Sequence, residues 1–133
     1  MQVRSSAESA LRSILRIVVG FTFSCHGWQK LFGAFGGIHG HAAPFGHLLW
    51  FAAVIETVGG ALVLLGLFTS PAAFILAGEM AFAFFIVHYP HGPIPIRNGG
   101  ELAVVYCFVF LFLCAAGPGP VSLDRAFRRR RAS

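Results

Sequence analysis

The chain has 133 residues, enough for a single domain spanning residues 1–133. Apolar residues make up 56% of it and charged residues only 11%, and its 15 Phe outnumber its 5 acidic side chains, which excludes an ordinary water-facing surface and makes lipid the expected solvent. The net charge of +5 collects at the two ends: Arg4, Arg12 and Arg16 in the first residues, Arg125, Arg128, Arg129, Arg130 and Arg131 in the last, with only Lys30 and Arg97 between them.

Four apolar segments follow one another. The first runs from about residue 11 to 35 and ends in "SCHGWQKLFGAF", which places a histidine, a glutamine and the lone lysine inside a hydrophobic run. Its arginines followed by an apolar stretch resemble a signal peptide, but it is too long for one and no A-x-A cleavage pattern follows, so it is read as retained. "GGIHGHAAPFGH" then separates it from a second helix expected over about 48–68. The tight turn "TSP" leads into a third over about 72–87, with Thr69 or Ser70 as its cap and Pro71 near its first position. "HYPHGPIPIRNGG" is too rich in proline to be helical, and the fourth helix is expected over about 102–116. The chain closes with a basic tail over 125–133.

Four helices with short connections predict an all-α fold, an antiparallel four-helix transmembrane bundle. An even number of spans puts both termini on one side, and the arginines at both ends make that side the cytoplasm. Arg12, Arg16, Arg128, Arg129, Arg130 and Arg131 then serve as a cytoplasmic anchor among anionic headgroups, Arg12 and Arg16 by snorkelling, and nucleic acid is not expected as a partner. The two histidine-rich loops face outward.

Helices in lipid pack through small residues. In the first segment Gly20, Gly27 and Ala34 recur every seven residues and mark an inward stripe that carries Lys30, with His26 one turn away. Glu56 shares a face with Ala52, Gly59 and Gly60, and Glu79 with Ala72 and Ala83. At 1.5 Å per residue His26, Lys30, Glu56 and Glu79 occupy one layer roughly 9 to 15 Å below the outer surface. His88 and Glu101 are expected at its rim. A lone charge at that depth costs on the order of 3 kcal/mol, so pairing is expected, with the second carboxylate or His26 sharing a proton.

This layer admits two readings, a buried polar network that only fixes helix register or a polar intramembrane site open to the outer face. No metal site is expected: His39, His41, His47, His88 and His91 lie in or beside loops without HExxH or CxxC. Cys107 and Cys114 stand two turns apart on one helix, about 10.5 Å, too far to bond to each other, and with Cys25 they read as packing residues. Nucleophilic triads, phosphate loops and flavin or haem motifs are absent from the sequence.

Taken in order, "LRIVVGFTFSCHGWQKLFG", "IETVGGALVLLGLFTSPAA", "NGGELAVVYCFVFLFL" and "GPGPVSLD" resemble the DoxX family of small bacterial integral membrane proteins. The positions carrying the resemblance are His26, Gly27, Lys30, Glu56, Gly60, Gly100, Glu101 and Asp124. The resemblance implies a four-helix protein of the bacterial inner membrane, and some members belong to membrane redox complexes, thiosulfate:quinone oxidoreductase and oxidative-stress assemblies among them. The expectation is therefore a subunit of a quinone-linked redox complex, not catalytic on its own, with protein partners in the bilayer. Lys30 would stabilise a developing oxyanion, and His26 and Glu56 would carry protons, with Glu79 behind them. The rival readings are a small proton-coupled transporter, which would need a homo-oligomer to complete a pathway, and a non-catalytic scaffold.

Overall fold

The computed structural model describes residues 2–132, with side chains from Ser5 onward. Met1, Ser133 and the side chain of Arg4, parts of the expected domain and its basic ends, lie outside the described residues. The described chain is all-α. Its helices are α1 (Gln2–Phe32), α2 (Leu48–Leu65), α3 (Thr69–Ala83), α4 (Pro95–Asn98), α5 (Glu101–Ala116) and α6 (Leu123–Arg131).

Helix α1 begins nine residues before the apolar run, because "SSAESALRS" contains strong helix formers and neither Gly nor Pro. It stops at Phe32 because Gly33 turns left-handed (φ 70°), so Ala34 falls in the following 3-10 turn rather than on the helical stripe. At the far end of α3 the helix passes through a π turn (Phe84–His88) and a 3-10 turn (Tyr89–His91), which extends the apolar stretch to Thr69–His91, 23 residues. That stretch and α2 are each long and apolar enough to cross a membrane, whereas α5, with 16 residues, spans only about 24 Å. Contrary to expectation, the proline-rich connection contains one helical turn, α4, with Pro95 at its first position where no N–H is needed. The basic tail is also helical: Ser122 caps α6, its Oγ accepting from the Arg125 N–H at 3.3 Å.

α1 lies directly against α2, and α3 against α5. The α1–α2 approach is set by glycines. A Cβ at Gly20 would fall 2.5 Å from the Leu64 backbone, one at Gly27 2.6 Å from the Thr57 nitrogen, and one at Gly60 within 2.5 Å of Ser24 Oγ. Aromatic rings join α1 to α5 at longer reach: Phe23 packs edge-on against Tyr106 (5.0 Å) and Phe110 (4.8 Å), and the Tyr106 hydroxyl donates to Thr22 Oγ1 at 3.0 Å.

Around an apolar core of Phe23, Val63, Leu76, Phe110 and Leu113, the outside is also apolar and several polar groups are buried. Ser13, Arg16, Ser24, Glu56 and Thr69 are buried, while Val18, Phe51, Phe74 and Phe108 are at least half exposed on the outside. An apolar exterior with the polar groups drawn inside suits a lipid surrounding, where buried polar groups must find partners within the protein.

Arg16 supplies the main correction to the sequence reading. It does not snorkel; at 1% exposure it is among the most buried large side chains. Its Nε donates to the Pro118 carbonyl at 2.8 Å, one terminal nitrogen to the Val63 carbonyl at 2.6 Å and to Leu64, and the other to Val121. Val63 and Leu64 form the last turn of α2, whose carbonyls carry the negative end of the helix dipole. That turn ends at Gly66 (φ 69°), with Leu67 N–H bonded to Leu62 O and Gly66 N–H to Val63 O; the guanidinium is a second donor to Val63 O and the donor to Leu64 O. Arg12 is likewise drawn inward, donating to the Ala116 carbonyl at the end of α5. Arg128, Arg129, Arg130 and Arg131 are exposed on α6.

The segment "GPGPVSLD" is bolted to the same end. Its Val121 N–H donates to Ser13 Oγ at 3.2 Å, and its Asp124 N–H to the Gly66 carbonyl at 2.8 Å. Neither Thr69 nor Ser70 caps α3. Asp124 does so from a distant part of the chain, accepting from Phe68 N–H (2.8 Å), Thr69 N–H (3.0 Å) and the Thr69 hydroxyl (2.9 Å).

Candidate functional site

At the opposite end of the helices from Arg16 and α6, the four long helices line a cavity of about 790 Å³, a size typical of small-molecule sites. Its walls are mostly apolar: Leu48, Phe51 and Ile55 from α2, Ile75 and Phe82 from α3, and Leu102 from α5. Its polar groups are few. His26 and Lys30 come from the last turns of α1, Glu56 from the middle of α2, Glu79 from α3, and His88 from the π turn. The structure thus brings these five expected residues around one space. Glu101 does not join them. It is exposed in the first turn of α5 beside Pro95 and Ile96, on the helix face of Val105 and Phe108 rather than the face of Ala103 and Tyr106 that lines the cavity.

Lys30 Nζ donates to Glu56 Oε1, an ion pair in which the lysine is 19% exposed and the glutamate 2%. An ammonium has three N–H groups. Glu56 takes one, which leaves two for a guest. The acceptors are in the converse position. Glu56 Oε2 and both oxygens of Glu79 are buried, and among the described residues none has a hydrogen-bond partner. Unsatisfied buried oxygens are uncommon in folded proteins and call for an explanation such as a ligand. Three of them line the space that Lys30 also reaches.

The remaining polar groups are held by neighbours. His88 Nδ1 donates to the Asn98 carbonyl at 3.1 Å, which leaves Nε2 as the acceptor. Asn98 is in turn fixed through its amide to Gly92 O at 2.7 Å and through Oδ1 to the Gly100 N–H at 2.7 Å. The His26 ring stands edge-on to Tyr106, centroids 6.0 Å apart. Tyr106 also lines the cavity and was not anticipated from the sequence. A signal existed: it is the sole hydroxyl on the buried face Ala103, Tyr106, Phe110, Leu113, and a hydroxyl placed there needs a partner. His39, His41, His47 and His91 are exposed, and among the described residues no three His, Cys, Asp or Glu side chains gather as a metal site would require.

Comparison with known proteins adds a family. The DoxX family profile matches residues 11–89, which include His26, Lys30, Glu56, Glu79 and His88. A protein of Haemophilus influenzae, described only as an uncharacterized protein, is 43% identical over 122 residues, covering 89% of this chain and 91% of its own. No solved structure matches.

Proposed function

The chain belongs to the DoxX family, and on that premise we propose that it is the membrane subunit of a quinone-linked redox complex whose cavity takes the quinone headgroup. In this reading α1, α2, α3 and α5 cross the bacterial inner membrane as an antiparallel bundle. Both termini are cytoplasmic, and the cavity lies toward the outer face. A partner subunit supplies the electrons, in sulfur oxidation or in defence against oxidative stress.

One observation carries the reading. The same mostly apolar cavity offers spare donors on Lys30 and spare acceptors on Glu79 and Glu56 Oε2. A headgroup oxygen that is a carbonyl when oxidised and a hydroxyl when reduced uses both in turn. Lys30 would donate to the carbonyl and stabilise the negative charge that develops as electrons arrive. The carboxylates would accept from the hydroxyl of the reduced form, and His26 stands beside them as a further proton carrier.

The test is binding of a benzoquinone to the purified protein in lipid nanodiscs. Saturable binding by the native chain, weakened by Glu79→Leu and by His26→Ala, is expected. Absence of saturable binding, together with unchanged respiratory and sulfur-stress growth of a His26→Ala/Glu56→Ala strain, would overturn the proposal.

A second reading has one observation of its own. The Lys30–Glu56 pair crosses the α1–α2 interface one turn from the Gly27–Thr57 contact, where it could serve purely to fix register. On that view replacing both members by apolar side chains leaves function intact.

A further inference from the structure

The cavity wall reaches the protein surface in two places: near the connecting segments, where Leu48 (63%), Val87 (53%) and Leu102 (50%) are exposed, and along the helices between α2 and α3. Its floor is closed: Phe23, Glu56, Ala103, Met80 and Tyr106 are all under 10% exposed. Its α2–α3 side is not. Phe51 (52%), Ile55 (38%), Ile75 (57%) and Phe82 (50%) line the cavity and are at the same time exposed on the outer surface. Between them lies Gly78, also exposed, where an added Cβ would meet nothing within 4 Å. Nearer the turn that joins them the two helices are in contact, since a Cβ at Gly59 would fall 2.7 Å from the Leu76 side chain. Beyond that point the cavity parts them.

We infer that the gap between α2 and α3 at Gly78 is a lateral portal, through which a long-chain isoprenoid quinone enters from the bilayer and in which its tail remains when the headgroup is bound. The inference rests on the quinone reading of the cavity. Burial increases inward from this mouth: Phe51, Ile55, Ile75 and Phe82 are exposed, Ala52 and Ala83 are half-buried, and Glu56 Oε2 and both Glu79 oxygens are buried, with Lys30 bonded to Glu56. A long tail cannot stay in so small a space beside its headgroup and must leave through an apolar opening. The mouth between Ile55 and Phe82 is such an opening, on the face where the helices would meet lipid chains. Gly78 suits the role because the absence of a side chain keeps the mouth clear, while open space around it means that a larger residue blocks the mouth without pushing the helices apart.

The experiment compares Gly78→Trp with the native chain and with Val58→Phe, a bulky change on the outer face of α2 away from the cavity. All three are placed in nanodiscs and titrated with a long-chain isoprenoid benzoquinone and with the same ring lacking its tail. The native chain and Val58→Phe should bind both. Gly78→Trp should keep its melting temperature and its affinity for the tail-less ring, and lose about tenfold or more in affinity for the long-chain quinone. Equal binding of the long-chain quinone by Gly78→Trp overturns the portal and leaves the quinone reading standing. Loss of both ligands from Gly78→Trp also overturns it, since the residue then belongs to the headgroup pocket. Binding of neither ligand by the native chain overturns the quinone reading, and the portal with it. If the Trp variant does not fold, Gly78→Leu takes its place under the same criteria.

Discussion

Glu79 shares a cavity with Lys30 but forms no bond to it; the lysine is engaged by Glu56, and the carboxylate of Glu79 is left buried with both oxygens unsatisfied. A group in that state costs the fold its desolvation without recovering it through a hydrogen bond. Replacing Glu79 with Leu should therefore raise the stability of the ligand-free protein by about 1 kcal/mol, seen as a melting temperature a few degrees higher in detergent. The same variant should bind quinone more weakly. Gain of stability with loss of binding marks a residue kept for its ligand, whereas a drop in melting temperature would show that Glu79 supports the fold.

Lys30 and Glu56 should behave in the opposite way. Lys30→Met leaves a carboxylate that is 2% exposed without its partner and is expected to cost about 3 kcal/mol. Adding Glu56→Leu should restore most of that stability, because two apolar side chains of similar size satisfy the site. The informative readout is the doubly substituted protein: refolded but unable to bind quinone on the functional reading, refolded and fully functional if the pair only sets register. A double-mutant cycle on melting temperature and on binding separates the two.

The layer of ionisable residues was legible because each is rare in its context. A carboxylate in the middle of "AAVIETVGG" or "LAGEMAFA" has few reasons to be there, and helical spacing places it on the face that carries Gly or Ala. The Gly20 and Gly27 contacts were legible for the same reason. Glu101 was misplaced because it was assigned by depth alone; as the first residue of α5 it shares its helical phase with Val105, Phe108 and Phe112, all exposed, and so faces away from Ala103 and Tyr106. Arg16 was beyond reach of periodicity altogether. An arginine near the start of an apolar run looks the same whether it snorkels outward or turns in. What turns it in is a set of carbonyls at the end of α2 and in residues 118–121, assembled only in the folded chain. The cavity, being the space that four helices leave between them, has no sequence signature of its own.

Asp124 offers a test of that distant assembly. It caps α3 from the segment before α6, accepting from two backbone N–H groups and the Thr69 hydroxyl. Asp124→Ala should cost about 1–2 kcal/mol, the usual range for losing a helix cap. Asp124→Asn retains an acceptor and should recover part of it. Since Phe68 sits at φ 48°, unfavourable for a non-glycine residue and held in place by this contact, Phe68→Gly should offset part of the Asp124→Ala loss. Thermal melts of the four proteins in one detergent measure each step.

Arg16 should prove the least replaceable residue outside the cavity. Arg16→Met keeps much of the volume but leaves the Val63, Leu64, Pro118 and Val121 carbonyls without their shared donor in a buried position. A loss of about 3 kcal/mol or more is expected. Arg16→Lys keeps the charge but has three donors on one nitrogen, which cannot span carbonyls from α2 and from the 118–121 turn as a planar fork does, so it should rescue only part of the stability. Hydrogen exchange distinguishes this from a general weakening. The Val121 N–H is bonded to Ser13 at 3.2 Å and the Asp124 N–H to Gly66 at 2.8 Å, both within the segment that Arg16 holds against α1 and α2. These two amides should lose protection in Arg16→Lys well before those of Tyr106 and Phe110 in α5 do, whereas a mere snorkelling anchor would leave all four unchanged.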